Sequence, residues 1–514
     1  MQKELVFRPE QIGNVDDIKG FLARKAGVPV ERLRITKAFV DARRKPDVKF
    51  CYRVTDDPET DYTSSALKYK GRVFKSYSRP VVIGFGPAGM FAGLVLSHYG
   101  LNPIIIEKGK DVARRTEDVN RYKQGGRIDP SSNIQFGEGG AGTFSDGKLY
   151  TGVTNSYQGF ISQTFVKHGA PSDIMYESHP HVGTDNLVNV VKGIREEIIR
   201  LGGEVHFEEE FIKFNLNQYY RPGKIEGITT PKGYYETDTV ILAIGNSSRD
   251  LIRKYVKWGI TSKPFAIGVR IEHLRSDIDI AMYGFDTSIY KNIFAANYKL
   301  AVDTSTGNKL YTFCMCPGGE VVPSASYEGA ICTNGMSYRN RDNINSNSAL
   351  LIPFDPKKVS DDPLVGLTYQ DMLETSAYKL AGKTGYAPYM TYGDLKNHRS
   401  GTKSDHINPS YSPGAIPCDL RELLPGYMTD TLTEGIALMG RKIKGFDSDS
   451  AVLTAVETRS SSPVRILRDE ESFESIEIKG LFPIGEGAGY AGGIMSSAID
   501  GIKCANRLVE SMLI

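Results

Sequence analysis

Apolar residues along this chain follow two rhythms. Val81-Val-Ile83, Ile104-Ile-Ile106 and Val240-Ile-Leu242 are runs of three aliphatic residues set between glycines and helical stretches. Runs this short, with no polar alternation, read as strands buried on both faces, the habit of parallel sheets. The first 56 residues follow the other rhythm. Leu5 and Phe7 alternate with polar residues, Asp16-Asp17 can cap a helix that turns Ile18, Phe21 and Leu22 inward, and residues 33–39 and 48–54 form a hairpin around Arg43-Arg44-Lys45-Pro46. The pattern predicts a small β-α-β-β domain over 1–77, ending in a polar linker from Asp56 to Ser78. An α/β nucleotide-binding domain begins at 78 and runs to 250, with a helix over 186–200, a strand over 204–207 and a hairpin over 211–227. Residues 251–440 show mixed strands with Tyr-, Asn- and Pro-rich loops, as in an inserted substrate domain. The nucleotide-binding domain closes over 441–514.

Chemistry enters with Gly84-Phe-Gly86-Pro87-Ala88-Gly89, which joins the strand at Val81–Ile83 to a helix. Gly84 allows the sharp turn, Gly86 removes a side chain that would block a phosphate, and Gly89 lets the helix lie close to the sheet. A pyrophosphate sits at such a helix N-terminus, where unpaired N–H groups and the positive dipole end face it. Glu107, eighteen residues after Gly89 at the end of the next strand, is placed to accept from ribose hydroxyls, and Lys108 and Arg115 are assigned to the cofactor with it.

Two later segments select FAD over NAD. Residues 239–245 end in Ala243-Ile-Gly245, which can bring the chain back over the nucleotide. Gly485-Glu486-Gly487-Ala-Gly489-Tyr-Ala-Gly492-Gly493-Ile494 reads as an acidic turn, a glycine-rich approach and the start of the last helix. Glu486 is placed for a ribitol or ribose hydroxyl. The helix N-terminus near Gly493 and Ile494 would face the flavin pyrimidine and favour the charge of the reduced form. Gly139, Gly140, Ala141, Gly142, Thr143 and Lys148 make a further Gly-rich loop expected to bind phosphate or flavin.

These segments resemble the uncharacterised FAD-dependent dehydrogenase family, within the broad glutathione-reductase-like class. The most specific motif is Asn133-Ile-Gln-Phe-Gly-Glu138-Gly-Gly-Ala-Gly142-Thr-Phe-Ser145-Asp-Gly-Lys148-Leu. It is joined by His179-Pro-His181-Val-Gly-Thr-Asp185, Cys314-Met-Cys316-Pro-Gly-Gly, Asn334-Gly-Met-Ser-Tyr338 and Glu457-Thr-Arg459-Ser-Ser-Ser-Pro463-Val-Arg465. Family members often carry Arg-Thr-Ser-Ser-Pro where this chain has Arg459-Ser-Ser-Ser-Pro463. The resemblance covers nearly the whole length and implies a three-layer ββα, glutathione-reductase-like Rossmann FAD domain with an inserted mixed α+β substrate domain, non-covalent FAD and redox chemistry. It names no substrate.

Composition narrows the class. A chain of 514 residues suits two to four domains of about 100–200 residues. The net charge is +2, but residues 1–79 carry 18 Lys and Arg against 11 Asp and Glu, a basic domain on a slightly acidic body. The opening residues lack an apolar signal core, and the most hydrophobic run, 81–96, is broken by glycines, so neither secretion nor a membrane span is expected. Six irregularly spaced cysteines fit reduced thiols in a cytoplasm.

Four groups are candidates for chemistry beside the flavin. Cys314 and Cys316 alternate on one strand and can act as a dithiol. His181 can move a proton, and Arg459 can face an anionic substrate or the flavin carbonyls. Arg270 and Glu272 share a strand face and can pair. His179 and His181 lack further ligands at zinc spacing, so no metal is expected. Ala381-Gly-Lys-Thr384 resembles a P-loop tail, but Ala377 stands where its first Gly belongs. Asn246-Ser-Ser248 is a glycosylation triplet with no secretory route.

The reading is an FAD-dependent oxidoreductase moving a hydride between a small molecule and FAD. No second GxGxxG supplies a dedicated NAD(P)H domain, so such a donor would bind transiently. A flavin monooxygenase using NAD(P)H and oxygen, a flavoprotein docking nucleic acid through its basic N-terminus, and a flavin-stabilised assembly factor are the alternatives.

Overall fold

The three aliphatic runs form the centre of a five-stranded parallel sheet in the computed structural model, which describes residues 2–44, 47–57, 66–68, 78–149, 155–219 and 223–513. Its order is Leu481–Pro483, Val240–Leu242, Val81–Ile83, Ile104–Ile106 and Glu204–His206. Every residue of the first four strands is buried, which explains the absence of alternation in their sequence. The helices Pro87–His98 and Ile494–Ser511 cover one face and pack tightly on each other. A Cβ on Gly501 would lie 2.2 Å from the Ala88 carbonyl oxygen. On the other face sits a meander of Lys213–Asn217, Gly223–Thr230 and Gly233–Glu236, joined by Ile478–Lys479.

The second body is a seven-stranded sheet, ordered Ala301–Asp303, Lys309–Cys316, Asn345–Phe354, Phe265–Leu274, Val452–Glu457, Ala387–Thr391 and Ala415–Pro417. Its pairings are antiparallel apart from the last. The boundary expected at 440 is too early. Val452–Glu457 pairs with Phe265–Leu274 and Ala387–Thr391 rather than with the nucleotide-binding sheet. Its run Val-Leu-Thr-Ala-Val is uniformly buried and carries no sign of which sheet it joins.

The N-terminal residues form the expected three-stranded sheet, ordered Gln2–Phe7, Lys49–Thr55, Arg34–Asp41. A short helix Pro9–Ile12 precedes the predicted one, Ile18–Ala26, whose N-cap Asp17 accepts from Gly20 N at 2.8 Å. This unit has no separate core. Phe7, Leu22 and Val54 belong to one apolar cluster with Phe265, Ile271 and Leu453 of the large sheet. Asn292 Nδ2 fastens the junction by donating to the carbonyls of Ile12 and Val15, at 3.1 and 2.7 Å. The basic loop is partly neutralised, since Asp41 accepts from Arg43 Nε and NH2 at 2.8 and 2.6 Å. Lys45, Pro46 and most of the linker expected over 56–78 lie outside the described residues. Among the described residues, no helix is long and apolar enough to cross a membrane.

Candidate functional site

A cavity of about 590 Å³ runs from the turn after Val81–Ile83 to the large sheet, within the usual size range of small-molecule and cofactor sites. Gly84 makes the turn with φ +98°, and a Cβ there would sit 2.4 Å from the Ala243 carbonyl oxygen. Only glycine satisfies both conditions. Pro87 occupies the first helical position, where its missing N–H costs nothing. Gly86, Pro87 and Ala88 therefore present a helix N-terminus to the cavity. A Cβ on Gly86 would meet nothing nearer than Gly140 Cα at 3.7 Å. Gly89 does not border the cavity; its Cβ would strike the Gly84 carbonyl oxygen at 2.0 Å, so it closes helix against turn.

Glu107 lines the cavity, but most of its carboxylate is committed. Oε2 accepts from Phe85 N at 2.9 Å, and Oε1 accepts from Gly109 N and Gly137 N at 2.9 and 3.0 Å. A carboxylate has about four acceptor positions, so one is left for a ribose hydroxyl. Arg115 is a correction. It is fully buried, and its guanidinium donates to the carbonyls of Asn133, Ile134, Gly137, Glu138 and Gly140 at 2.6–3.3 Å. Burial lowers its pKa to about 10. Arg115 therefore shapes the 133–140 loop and does not touch a ligand. Lys108 turns away over the Phe136 ring, 3.8 Å from its centroid. Gly139 and Thr143 border a small neighbouring cleft, whereas Gly140, Ala141 and Gly142 do line the cavity.

Ala243, Gly245, Gly485, Glu486, Gly493 and Ile494 line the middle of the cavity. Gly245 and Gly493 have φ of +70° and +101°, and a Cβ on either would project into open space. Burial raises the Glu486 pKa to about 7 against the pull of Lys263, Gly493 N–H and the Asn246 amide. Its carboxyl can therefore donate or accept toward a bound hydroxyl near neutrality.

The far wall comes from the large sheet and the 145–148 turn. Cys314 and Lys148 line it, with Asn334, Arg341 and Glu457. Lys148 Nζ lies 3.1 Å from Asp146 Oδ2 and 3.9 and 3.8 Å from the sulfurs of Cys314 and Cys316, and it also donates to the Met315 carbonyl. Cys316 is fully buried behind Cys314. The hydrogen bond from Cys316, with Lys148 and Arg270, holds the Cys314 thiol well below its ordinary pKa, while burial pushes Cys316 up. His181 does not reach the cavity. Its Nε2 bonds the Tyr338 carbonyl at 3.1 Å and its Nδ1 lies 3.4 Å from Asp146, so it positions that carboxylate; His179 is the histidine on the wall.

Two expected pairings are also corrected. Arg270 bonds Glu457 at 2.8 and 3.0 Å, whereas Glu272 accepts from Asn345 and Ser410. Arg459 lines the cavity but is already spoken for by Glu374, Ser247 and Ser326. Its charge is balanced inside the protein and is not offered to an anionic substrate. Arg341 is the guanidinium that was missed. It is buried, its Nε has no hydrogen-bond partner among the described residues, and its NH2 stands 3.9 Å from Asp146. It sits in an unpatterned loop with φ +52°, so no sequence signal marked it. Gln135 and Asp146 were also missed, although both stand inside the quoted 133–149 motif.

The residues present fit FAD. Backbone stands bare at Gly86, Gly245 and Gly493, two helix N-termini face the cavity, and Glu107 and Glu486 are spaced along it for hydroxyls. No group of metal-ligating side chains occurs among the described residues.

Residues 264–460 match the family model described as FAD-dependent protein, C-terminal domain-like. A Clostridium beijerinckii protein, described as uncharacterized, is 43% identical over 500 residues, covering 94% of this chain and 93% of its own length. Glycine oxidase from Bacillus cereus overlaps 85% of this chain and 98% of its own at 11% identity and TM-score 0.32. L-proline dehydrogenase from P. horikoshii overlaps 85% and 94% at 11% identity and TM-score 0.33. Overlaps this loose fix neither fold nor chemistry.

Proposed function

We propose that this chain, which belongs to the same family as the Clostridium beijerinckii protein and is an FAD-dependent flavoprotein, passes a hydride between a small-molecule substrate and non-covalently bound FAD. One observation carries the reading: a single cavity joins the glycine cradle at Gly84–Ala88 to a far wall of polar side chains, Lys148, Cys314, Asn334, Arg341 and Glu457. The strand order, with the meander on one face, supports a glutathione-reductase-like arrangement of the cofactor domain.

FAD when bound supplies the two-electron acceptor. The N–H groups of Gly86–Ala88 would hold the pyrophosphate, the free lone pair of Glu107 the ribose, and Glu486 a ribityl hydroxyl. Lys148, Arg341 and Asn334 would orient a substrate on the far wall and exclude bulk water, and Lys148 would balance negative charge there. With one nucleotide cradle assigned, a nicotinamide donor would bind in the same cavity and leave. All six cysteines are unpaired, which supports a reducing, cytoplasmic setting.

The test is the visible spectrum of the purified protein under anaerobic conditions, before and after NADH or NADPH. Bleaching of a flavin band by either identifies the donor. A flavin band that responds only to thiols or to an organic substrate assigns the electrons to that compound. A colourless protein that cannot be reconstituted with FAD overturns the reading.

A further inference from the structure

Cys314 and Cys316 occupy a break in an otherwise regular strand. The ladder between Lys309–Cys316 and Asn345–Phe354 runs Phe313 to Ala349 and then Cys316 to Asn347, so one extra residue is inserted between them. Cys314 takes φ +43°, a conformation that a non-glycine residue rarely adopts without a reason. In an extended strand, residues two apart are separated by about 6.5–7 Å, at the outer limit for a disulfide. The bulge releases Cys314 from the regular ladder, and Cys316 Sγ turns back to donate to the Cys314 carbonyl at 3.3 Å.

Their surroundings are cationic and unusually specific. Lys148 Nζ is nearly equidistant from both sulfurs, and Arg270 NH2 lies 3.6 Å from Cys316 Sγ while also donating to the Cys314 carbonyl. Arg270 is itself fully buried and fixed by Glu457 and Asn347. Two positive charges converging on two sulfurs favour the thiolate. A purely structural pair of buried cysteines would need neither cation. Of the two, Cys314 lines the cavity and Cys316 is sealed behind it.

We propose that Cys314 and Cys316 are a second two-electron centre, a dithiol that closes to a disulfide by reducing the flavin and reopens when the reaction runs in reverse. The proposal rests on the FAD reading above and deepens it. Starting from the Cys314 thiolate and the Cys316 thiol, the sulfur–sulfur bond forms as the Cys316 S–H bond breaks. The electron pair and that proton are taken up by the oxidised flavin, which becomes the anionic reduced form. Negative charge would leave the Cys314 sulfur and appear on the flavin, so the total is unchanged, and Lys148 stands at the cavity wall beside the two sulfurs. Because Cys316 is unreachable, an outside partner must engage Cys314 through the cavity. The substrate class is therefore a small thiol–disulfide couple, exchanging with Cys314 by thiolate attack.

Two measurements on the full chain test this. In the first, the protein is treated with oxidised glutathione, denatured, alkylated and mapped by mass. The peptide holding both cysteines should lose two hydrogens and escape alkylation, while Cys51, Cys332, Cys418 and Cys504 remain alkylated. Full alkylation of Cys314 and Cys316 overturns the proposal. This readout needs no flavin, so failure to bind FAD would defeat the function reading and leave the thiol result legible.

In the second, anaerobic bleaching of the flavin by dithiothreitol is followed in wild type, Cys314→Ser and Cys316→Ser. At least a tenfold slower bleaching in both variants, with photoreduction unchanged, is expected. Wild-type rates overturn the relay. Lys148→Gln should shift the alkylation profile of Cys314 to higher pH, an effect that a merely structural lysine would not produce.

Discussion

Glu374 grips Arg459 through both carboxylate oxygens, Oε1 at 3.1 Å from Nε and Oε2 at 2.8 Å from NH2, and it holds Arg249 in the same way from the other side. One buried carboxylate thus ties the helix Val365–Leu380, the turn after Val452–Glu457 and the helix Arg249–Lys254 together beneath the cavity. Burial alone would raise its pKa, but Arg459 and Arg249 outweigh burial and hold it at about 2.

Removing that charge leaves two guanidiniums without their partner. Glu374→Gln should cost about 3–5 kcal/mol, the usual penalty for breaking a buried pair from one side. Denaturant unfolding followed by tryptophan fluorescence measures it. Since the folded pKa lies below the ordinary carboxylate value of 4.5, the stabilisation is present above pH 4.5 and drains away as pH falls toward 2. The variant should lose that part of the acid dependence; an unchanged acid limb would refute the assignment.

Glu177 should give the opposite slope. Burial and its neighbour Asp173 raise its pKa to about 7, at the seam where Ser178 N donates to the Ala38 carbonyl. The folded state keeps the proton that the unfolded chain releases near pH 4.5, so this contribution is complete below pH 4.5 and lost as pH rises through 7. Glu177→Gln should therefore melt above wild type at pH 8 and alongside it at pH 4 in thermal scans.

Gly86→Ala separates cofactor from fold. The backbone at Gly86 has φ −77°, and the added methyl finds only Gly140 Cα at 3.7 Å, so the apoprotein should melt within about 1 kcal/mol of wild type. The methyl nonetheless stands where the pyrophosphate is expected. FAD content after purification should fall at least tenfold, read from the ratio of flavin to protein absorbance.

Arg115→Met should fail in both respects. Five carbonyls lose their donor in a dry site, and each unsatisfied polar group costs about 1–3 kcal/mol. Calorimetry should show a loss of at least about 3 kcal/mol together with loss of flavin. Arg115→Lys should rescue only part of it, because an ammonium cannot reach the spread of acceptors that a guanidinium spans.

What could be read from the sequence followed local physics. Val81–Ile83, Gly84 and Pro87 declare strand, turn and helix because the constraints act within a few residues, and the hairpin of Arg34–Asp41 with Lys49–Thr55 is declared in the same way. Partners distant in the chain were not declared. Arg270 pairs with Glu457, 187 positions away, instead of the nearby Glu272. Val452–Glu457 joins the large sheet although its composition suits either body. Arg115, Arg341 and Arg459 look alike in sequence, yet one is a scaffold for carbonyls, one lines the cavity with a buried Nε that has no partner among the described residues, and one is neutralised by Glu374.

The shared core of the first 55 residues with strands as late as Val452–Glu457 sets an order of events during synthesis. Leu22 and Val54 leave the ribosome some 400 residues before Leu453, a delay on the order of 20–80 s at translation rates of about 5–20 residues per second. Until Phe265 and the strands after it emerge, the oily underside of the N-terminal sheet lacks the rest of its core. Nascent chains halted before residue 265 should therefore be the ones that draw holdase chaperones, and the newborn protein becomes self-sufficient only when its two ends meet.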